Sequence, residues 1–242
     1  MQYSNIQLAY FIDRPNRFIA HCRLSETGEI VVAHVKNTGR GKEVFLVDAL
    51  VALNYQPAAT RKTDYDLVAV KKEEMWINID SQIPNALAAE AILNRQIKLP
   101  GLKGNITLLK REYRYQQSKF DIYFETDHAE KGFVEVKGMT LENQGIGAFP
   151  DAPTIRGLKH VNELIHAKVA GYFSYLLFIV QFPKVTVATI HREMQPALAE
   201  TMAQAQENGV VVLAYNCQVS PDTIEVDHEV PFNLYQNFND PN

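Results

Sequence analysis

The chain has 242 residues, 46% of them apolar, and a formal net charge of −4. That length allows one or two domains with a proper core. The charge argues against a basic binding surface spread over the whole chain. No run of about 18 apolar residues is present, so no membrane span is expected. The start, MQYSNIQLAYF, lacks the basic and apolar regions of a secretory signal. Cys22 and Cys217 form no CxxC pair, which suggests neither a disulfide framework nor a zinc knuckle. A reducing, cytoplasmic setting fits. Residues 1–80 hold ten Lys/Arg and ten Asp/Glu, residues 81–163 eleven and ten, and residues 164–242 three and eight. The acidic excess therefore lies in the last third, and the middle is slightly basic.

In chain order, the first ~80 residues look all-β. RFIAHCRL and EIVVAHVKN flank the turn SETG, and KEVFLV, LVALNYQ, YDLVAV and MWINID follow as further short strands. This spacing predicts a small barrel. After Asp80 the period changes. SQIPNALAAEAILNRQI predicts a helix with Pro84 in its first turn, a stripe of Leu87, Ala91 and Asn94, and Glu90 beside it. ITLLKREYRY predicts a strand. FPDAPTIRGLKHVNELIHAKVAG predicts a helix with Asp151 as cap. On it, Ile155, Leu158, Val161, Asn162 and Ile165 are expected on the packed side, with Arg156, Lys159, His160 and Glu163 on another. YLLFIVQF reads as an interior strand, PALAETMAQAQENG as a helix ending at Gly209, and VVVLAYNCQV as the last clear strand. From residue 81 the order is α-β-β-β-α-β with an extra α-β. The expected division is 1–80 and 81–242.

Two strands, KFDIYFE and GFVEVKGM, carry charge where a core hairpin prefers neutral residues. A turn centred on position 128 pairs residues whose numbers sum to about 256, which sets Asp121 opposite Glu135 with Cβ atoms about 5 Å apart. Lys137 shares the face of Glu135 because strands have period two. Like charges directly opposed are destabilising. Lys137 compensates in part and a divalent cation compensates better, since Mg²⁺ favours one or two carboxylates with water and phosphate oxygens. These are the parts of a metal-dependent phosphodiesterase. The competing reading is a solvated sheet face.

The pattern D-x13-E-x-K on adjacent strands, after a helix bearing Glu, resembles the PD-(D/E)XK nucleases. HVKNTGRGKEVFLV, RKTDYDLVAV, NIDSQIPNALAAEAI, SKFDIYF, FVEVKGMTLE and FPDAPTIRGLKHVNEL resemble, in order, the sugar fermentation stimulation protein A (SfsA) family. The resemblance covers most of residues 14–165. It implies an α+β or α/β chain: an N-terminal OB-fold, then a PD-(D/E)XK nuclease-like domain. It implies metal ligands Glu90, Asp121 and Glu135, with Asp121, Glu135 and Lys137 catalytic and Mg²⁺ or Mn²⁺ as cofactor. The block Arg156, Lys159, His160 and Glu163 is implied as a second polar layer or a phosphate-facing stripe. The family's TERG reads TIRG here, with Ile155 in place of the acid. The family is described as DNA-binding and linked to control of sugar metabolism, so nucleic acid, DNA foremost, is the expected partner. A nuclease scaffold without turnover, or a binder of another phosphate ligand, are the alternatives.

KNTGRGK places Lys36, Arg40 and Lys42 around two glycines in a barrel loop, where phosphate contact competes with a plain solvated turn. It is not a Walker A loop. HVNELIH, from His160 to His166, has neither zincin nor inverzincin spacing. Trp76 reads as a core residue.

Overall fold

The structure is a computed structural model and describes residues 1–37, 39–116 and 118–241. The first six strands are β1 (Ile6–Asn16), β2 (Ile19–Leu24), β3 (Ile30–Val35), β4 (Leu50–Tyr55), β5 (Tyr65–Lys72) and β6 (Met75–Asn78). They lie in the order β3-β2-β1-β4-β5-β6, and a parallel pairing of β3 with β5 closes five of them into the expected barrel. Strict alternation drives this. Ala20, Cys22 and Leu24 of β2 and Val31, Ala33 and Val35 of β3 point inward, while their neighbours face out.

Two barrel expectations need correction. The opening segment, not read as a strand, forms β1, with Ala9 and Phe11 buried. Lys42–Val47, expected as a strand, forms turns instead. Gly41 (φ +54°) and Asp48 (φ +64°) bracket it with left-handed backbone. The amides of Val44 and Phe45 donate to the Gly41 carbonyl rather than to a ladder. Two of its apolar residues still pack, with Val44 buried and the Phe45 ring 5.5 Å from Phe11, while Leu46 and Val47 are exposed.

The second unit begins with α1 (Ile83–Leu93). It continues through β7 (Ile106–Tyr115), β8 (Ser118–Thr126), β9 (Lys131–Met139), α2 (Ile155–Val169) and β12 (Phe173–Val180). This is the expected α-β-β-β-α-β order. The added α-β is α3 (Pro196–Glu207) and β14 (Val211–Val219). Not foreseen were β10 (Leu141–Asn143), β11 (Ile146–Phe149) and β13 (Val187–Ile190), which make a small separate sheet, and β15 (Ile224–Glu229). The main sheet runs β15-β14-β12-β9-β8-β7, with β12 parallel to both β9 and β14. α1 packs on one face against Ile122, Phe124, Val134 and Val136. α2 packs on the other against Phe133, Leu176 and Phe178, in a cluster that continues into the barrel interior.

The two units are joined by buried polar contacts. Asp80, fully buried, takes Lys36 Nζ at 2.9 Å and the amide of Gln82 at 3.0 Å. Gln181 Nε2 donates to the carbonyls of Asn78 and Asp80. Lys72 Nζ reaches Glu142 at 2.5 Å. Among the described residues, no helix is long and apolar enough to cross a membrane.

Candidate active site

The β8–β9 hairpin has the expected register: Tyr123 pairs with Phe133 and Ile122 with Val134. The ladder ends there. Phe120 and Tyr123 lie in the α2-side cluster, while Ile122 and Phe124 lie in the α1-side cluster, so the alternation of β8 breaks at Asp121. The Asp121 carboxylate occupies the opening between the strands, and its Oδ2 accepts the Val136 amide at 2.8 Å.

Glu135 is 1% exposed. Its Oε1 accepts from Lys137 Nζ at 2.5 Å and also contacts His160 Nδ1. Arg156 Nε donates to His160 Nε2 at 3.3 Å, which places the ring proton on Nδ1, facing Glu135. The second oxygen of Glu135, Oε2, is buried and has no hydrogen-bond partner. Burial pushes the Asp121 carboxyl up to about 6, and the nearby Glu135 charge adds to this against Lys137 and the two hydrogen bonds. Burial also works against ionised Glu135, but His160 and Lys137 outweigh it and hold that carboxyl below its ordinary range. The environment thus favours the ionised form of Glu135 and the protonated form of Asp121.

The helices supply partners other than those expected. Glu90 is exposed on α1 and does not join the pair. Among the described residues, no three His, Cys, Asp or Glu side chains converge as a metal cage. The residue that reaches the site is Asn85, whose Nδ2 donates to Asp121 Oδ1 at 2.6 Å. Five residues at about 100° each turn Glu90 roughly 140° away from Asn85, which is the reason the two cannot both face Asp121. The signal was present in the sequence. Asn85, Ala88, Ala89 and Ile92 fall at i, i+3, i+4 and i+7, a single polar group heading an apolar stripe.

On α2 the buried face is Gly157, His160, Val161, Leu164 and Ala167. His160 is therefore on the packed side, in contact with Glu135, not on a stripe with Lys159. Lys159 is exposed and pairs with Glu163 at 3.4 Å. Ile155, expected on the packed side, is 87% exposed. Thr154, not Asp151, caps the helix by accepting the Gly157 amide at 2.9 Å. Asp151 instead accepts the Gly41 amide and faces Arg40.

In the barrel loop, Thr38 lies outside the described residues. Lys36 is committed to Asp80. Arg40 donates to the Asp151 carbonyl at 2.8 Å and to Asp240 at 3.1 Å. Arg14 binds the carbonyls of Asn37, Gly39 and Arg40 from beneath. Lys42 alone of the three expected phosphate contacts is exposed to solvent. Between this loop and the start of α2, a cleft of about 280 Å³ is lined by Asn37, Ser81, Gly138, Thr140, Asp151 and Thr154. The cleft takes in Gly138, which follows Lys137 in the chain, but not Asp121, Glu135 or Lys137 themselves.

Residues 12–79 match the SfsA N-terminal OB domain, and residues 82–223 match the sugar fermentation stimulation protein RE domain. The chain is 58% identical to the sugar fermentation stimulation protein homolog of Enterococcus mundtii, with 100% of both chains covered. This chain belongs to the SfsA family. A second SfsA relative, the homolog from Lacticaseibacillus casei, is 40% identical over 100% of this chain and 98% of its own. The solved SfsA of Pyrococcus furiosus in complex with Ca²⁺ superposes with a TM-score of 0.83 at 28% identity, covering 97% of this chain and 98% of that one.

Proposed function

We propose that this SfsA protein is a divalent-metal-dependent nuclease that hydrolyses phosphodiester bonds of nucleic acid, with DNA as the expected polymer. The observation that carries this reading is the pair Asp121 and Glu135 at the parting of β8 and β9, with Glu135 Oε2 buried and unpartnered. A buried carboxylate oxygen without a donor is costly, and a hard cation suits an all-oxygen donor set of this kind. Ca²⁺ in the Pyrococcus furiosus relative supports a divalent site.

Mg²⁺ or Mn²⁺ would be held by Asp121 and by Glu135 through Oε2; the Asn85 amide is the group from α1, in the place given to Glu90. When bound, the cation supplies neutralisation of the phosphate charge that builds in hydrolysis. Asn85 and the Val136 amide aim the Asp121 carboxylate. Lys137, half-buried, positions the attacking water or the scissile phosphate. His160, held by Arg156, keeps Glu135 ionised and fixes its orientation. The cleft that reaches Gly138 gives a flanking nucleotide room.

The test is cleavage of labelled single- and double-stranded DNA and RNA with Mn²⁺ or Mg²⁺, alongside an EDTA control and Glu135→Ala. Cleavage lost in both controls is expected. A second reading, DNA binding without turnover, draws on Glu135 Oε1 being fully engaged by Lys137 and His160 and on α1 offering an amide where an acid was expected. A salt-dependent mobility shift with no product would favour it.

A further inference from the structure

With Lys36 and Arg40 tied into the fold, the phosphate contacts of a nucleic acid must come largely from elsewhere. β7 is one edge of the main sheet and β15 is the other. The β15 edge carries Glu225, Asp227 and Glu229, all exposed. The β7 edge carries Lys110, Arg111 and Arg114, also exposed, with Lys119 beside them on β8. The sheet is therefore polarised, and a polyanion is repelled from one margin and drawn to the other.

The β7 edge also holds an imbalance that the protein does not resolve internally. The ladder sets Arg114 directly opposite Lys119, a like-charge pair that is unfavourable by itself. Glu112 answers Lys119 at 2.5 Å. Among the described residues, Arg114 has no hydrogen bond or ion pair. Glu112 is held below its ordinary range by Lys119 first and also by Arg111 and Arg156, which places the α2 arginine in the same field. Arg156 in turn touches His160, and His160 touches Glu135. Arg156 thus links the field of the sheet margin, through His160, to Glu135.

Arg111 and Arg114 lie on either side of Glu112, whose left-handed backbone (φ +57°) interrupts the strand, and their two long side chains can reach different phosphates of one polymer. Tyr113 and Tyr115 lie between and beyond them but pack inward, Tyr113 stacked on Tyr123 at 4.2 Å. They offer no platform for bases, so the contact is with the backbone and carries no sequence preference.

We propose that the β7 edge, through Arg111 and Arg114 with Arg156 behind them, is the track along which the phosphate backbone of a DNA strand reaches the site. This rests on the nuclease reading above. The test compares the full-length protein with an Arg111→Ala/Arg114→Ala double variant, in EDTA so that nothing is cut. Anisotropy of labelled oligonucleotides is followed across a salt series. Both side chains are exposed, and an unchanged thermal melt will confirm an intact fold. Loss of two phosphate contacts should make the slope of log K against log salt shallower by about 1.8 on duplex or about 1.4 on single strands. If the wild type binds and the double variant keeps its slope, the track is overturned while the cleavage reading stands on its own assay. If the wild type binds no DNA, the track is overturned, and the cleavage assay decides the nuclease reading separately.

Discussion

Replacing Asp121 by Asn should stabilise the metal-free protein, and only toward neutral and alkaline pH. Burial and the Glu135 charge raise this carboxyl from an ordinary 3.8 to about 6. The folded state therefore holds the proton more tightly than the unfolded state. Below about pH 4 the group is protonated in both states, and stability is undiminished. As the pH rises from about 4 through 6, that contribution is lost, because the folded protein must ionise a partly desolvated acid beside another. A difference of roughly two pKa units corresponds to about 3 kcal/mol. Asn mimics the protonated form: its carbonyl can accept the Val136 amide, and the Asn85 amide can turn to offer oxygen to the new NH₂. Urea unfolding in EDTA at about pH 8 should show Asp121→Asn more stable by ~2–3 kcal/mol, near 5–10 °C in Tm for a chain of this size. At about pH 4 the two proteins should nearly coincide. Added Mn²⁺ should stabilise the wild type and not the variant. A variant less stable at pH 8, or a gap that ignores pH, would refute the reasoning.

Asn85→Ala should weaken Mn²⁺ binding by about tenfold, the scale of losing a group that orients a ligand, whereas Glu90→Ala should leave it unchanged; calorimetric titration distinguishes them. Lys36→Ala leaves the buried Asp80 charge without its cation and should cost about 3 kcal/mol in urea unfolding, with no change in the salt dependence of DNA binding. Thr154→Ala removes the α2 cap and should cost about 1 kcal/mol, read from the same unfolding curves.

The hairpin register was legible because strand period and a tight turn leave little freedom: once the turn is centred near residue 128, Tyr123 must meet Phe133. The α-β-β-β-α-β order was legible for a similar reason, since the change from period two to a helical stripe after Asp80 is abrupt. What failed depends on contacts distant in sequence. Val44 and Phe45 are as β-prone as any strand residue, yet the left-handed backbone at Gly41 and Asp48 folds them into turns against Phe11. Ile155 is apolar but sits at the start of α2, outside the stripe that faces the sheet. Lys36 and Arg40 looked like loop cations, but their partners Asp80, Asp151 and Asp240 lie 44, 111 and 200 residues away along the chain and no local pattern announces them.

The same long-range contacts change what the barrel can be doing. Had the Lys36–Lys42 loop been free, the barrel could present it to a ligand independently of the second unit. Instead, Arg14 holds its carbonyls, Asp80 fixes Lys36, and Arg40 is fastened to the approach to α2 and to Asp240. Asn37 and Gly39 thereby line the cleft, and Lys36 and Arg40 are fastened beside it. The contrast with the β8–β9 opening is physical. At the loop Lys36 and Arg40 are answered by Asp80, Asp151 and Asp240, whereas at the opening the half-buried Asp121 adjoins the buried Glu135, whose Oε2 has no hydrogen-bond partner. Folding alone gives no reason to keep that arrangement, because an Asn at 121 would relieve it. The cation of the proposed function would bring the positive charge that this arrangement lacks.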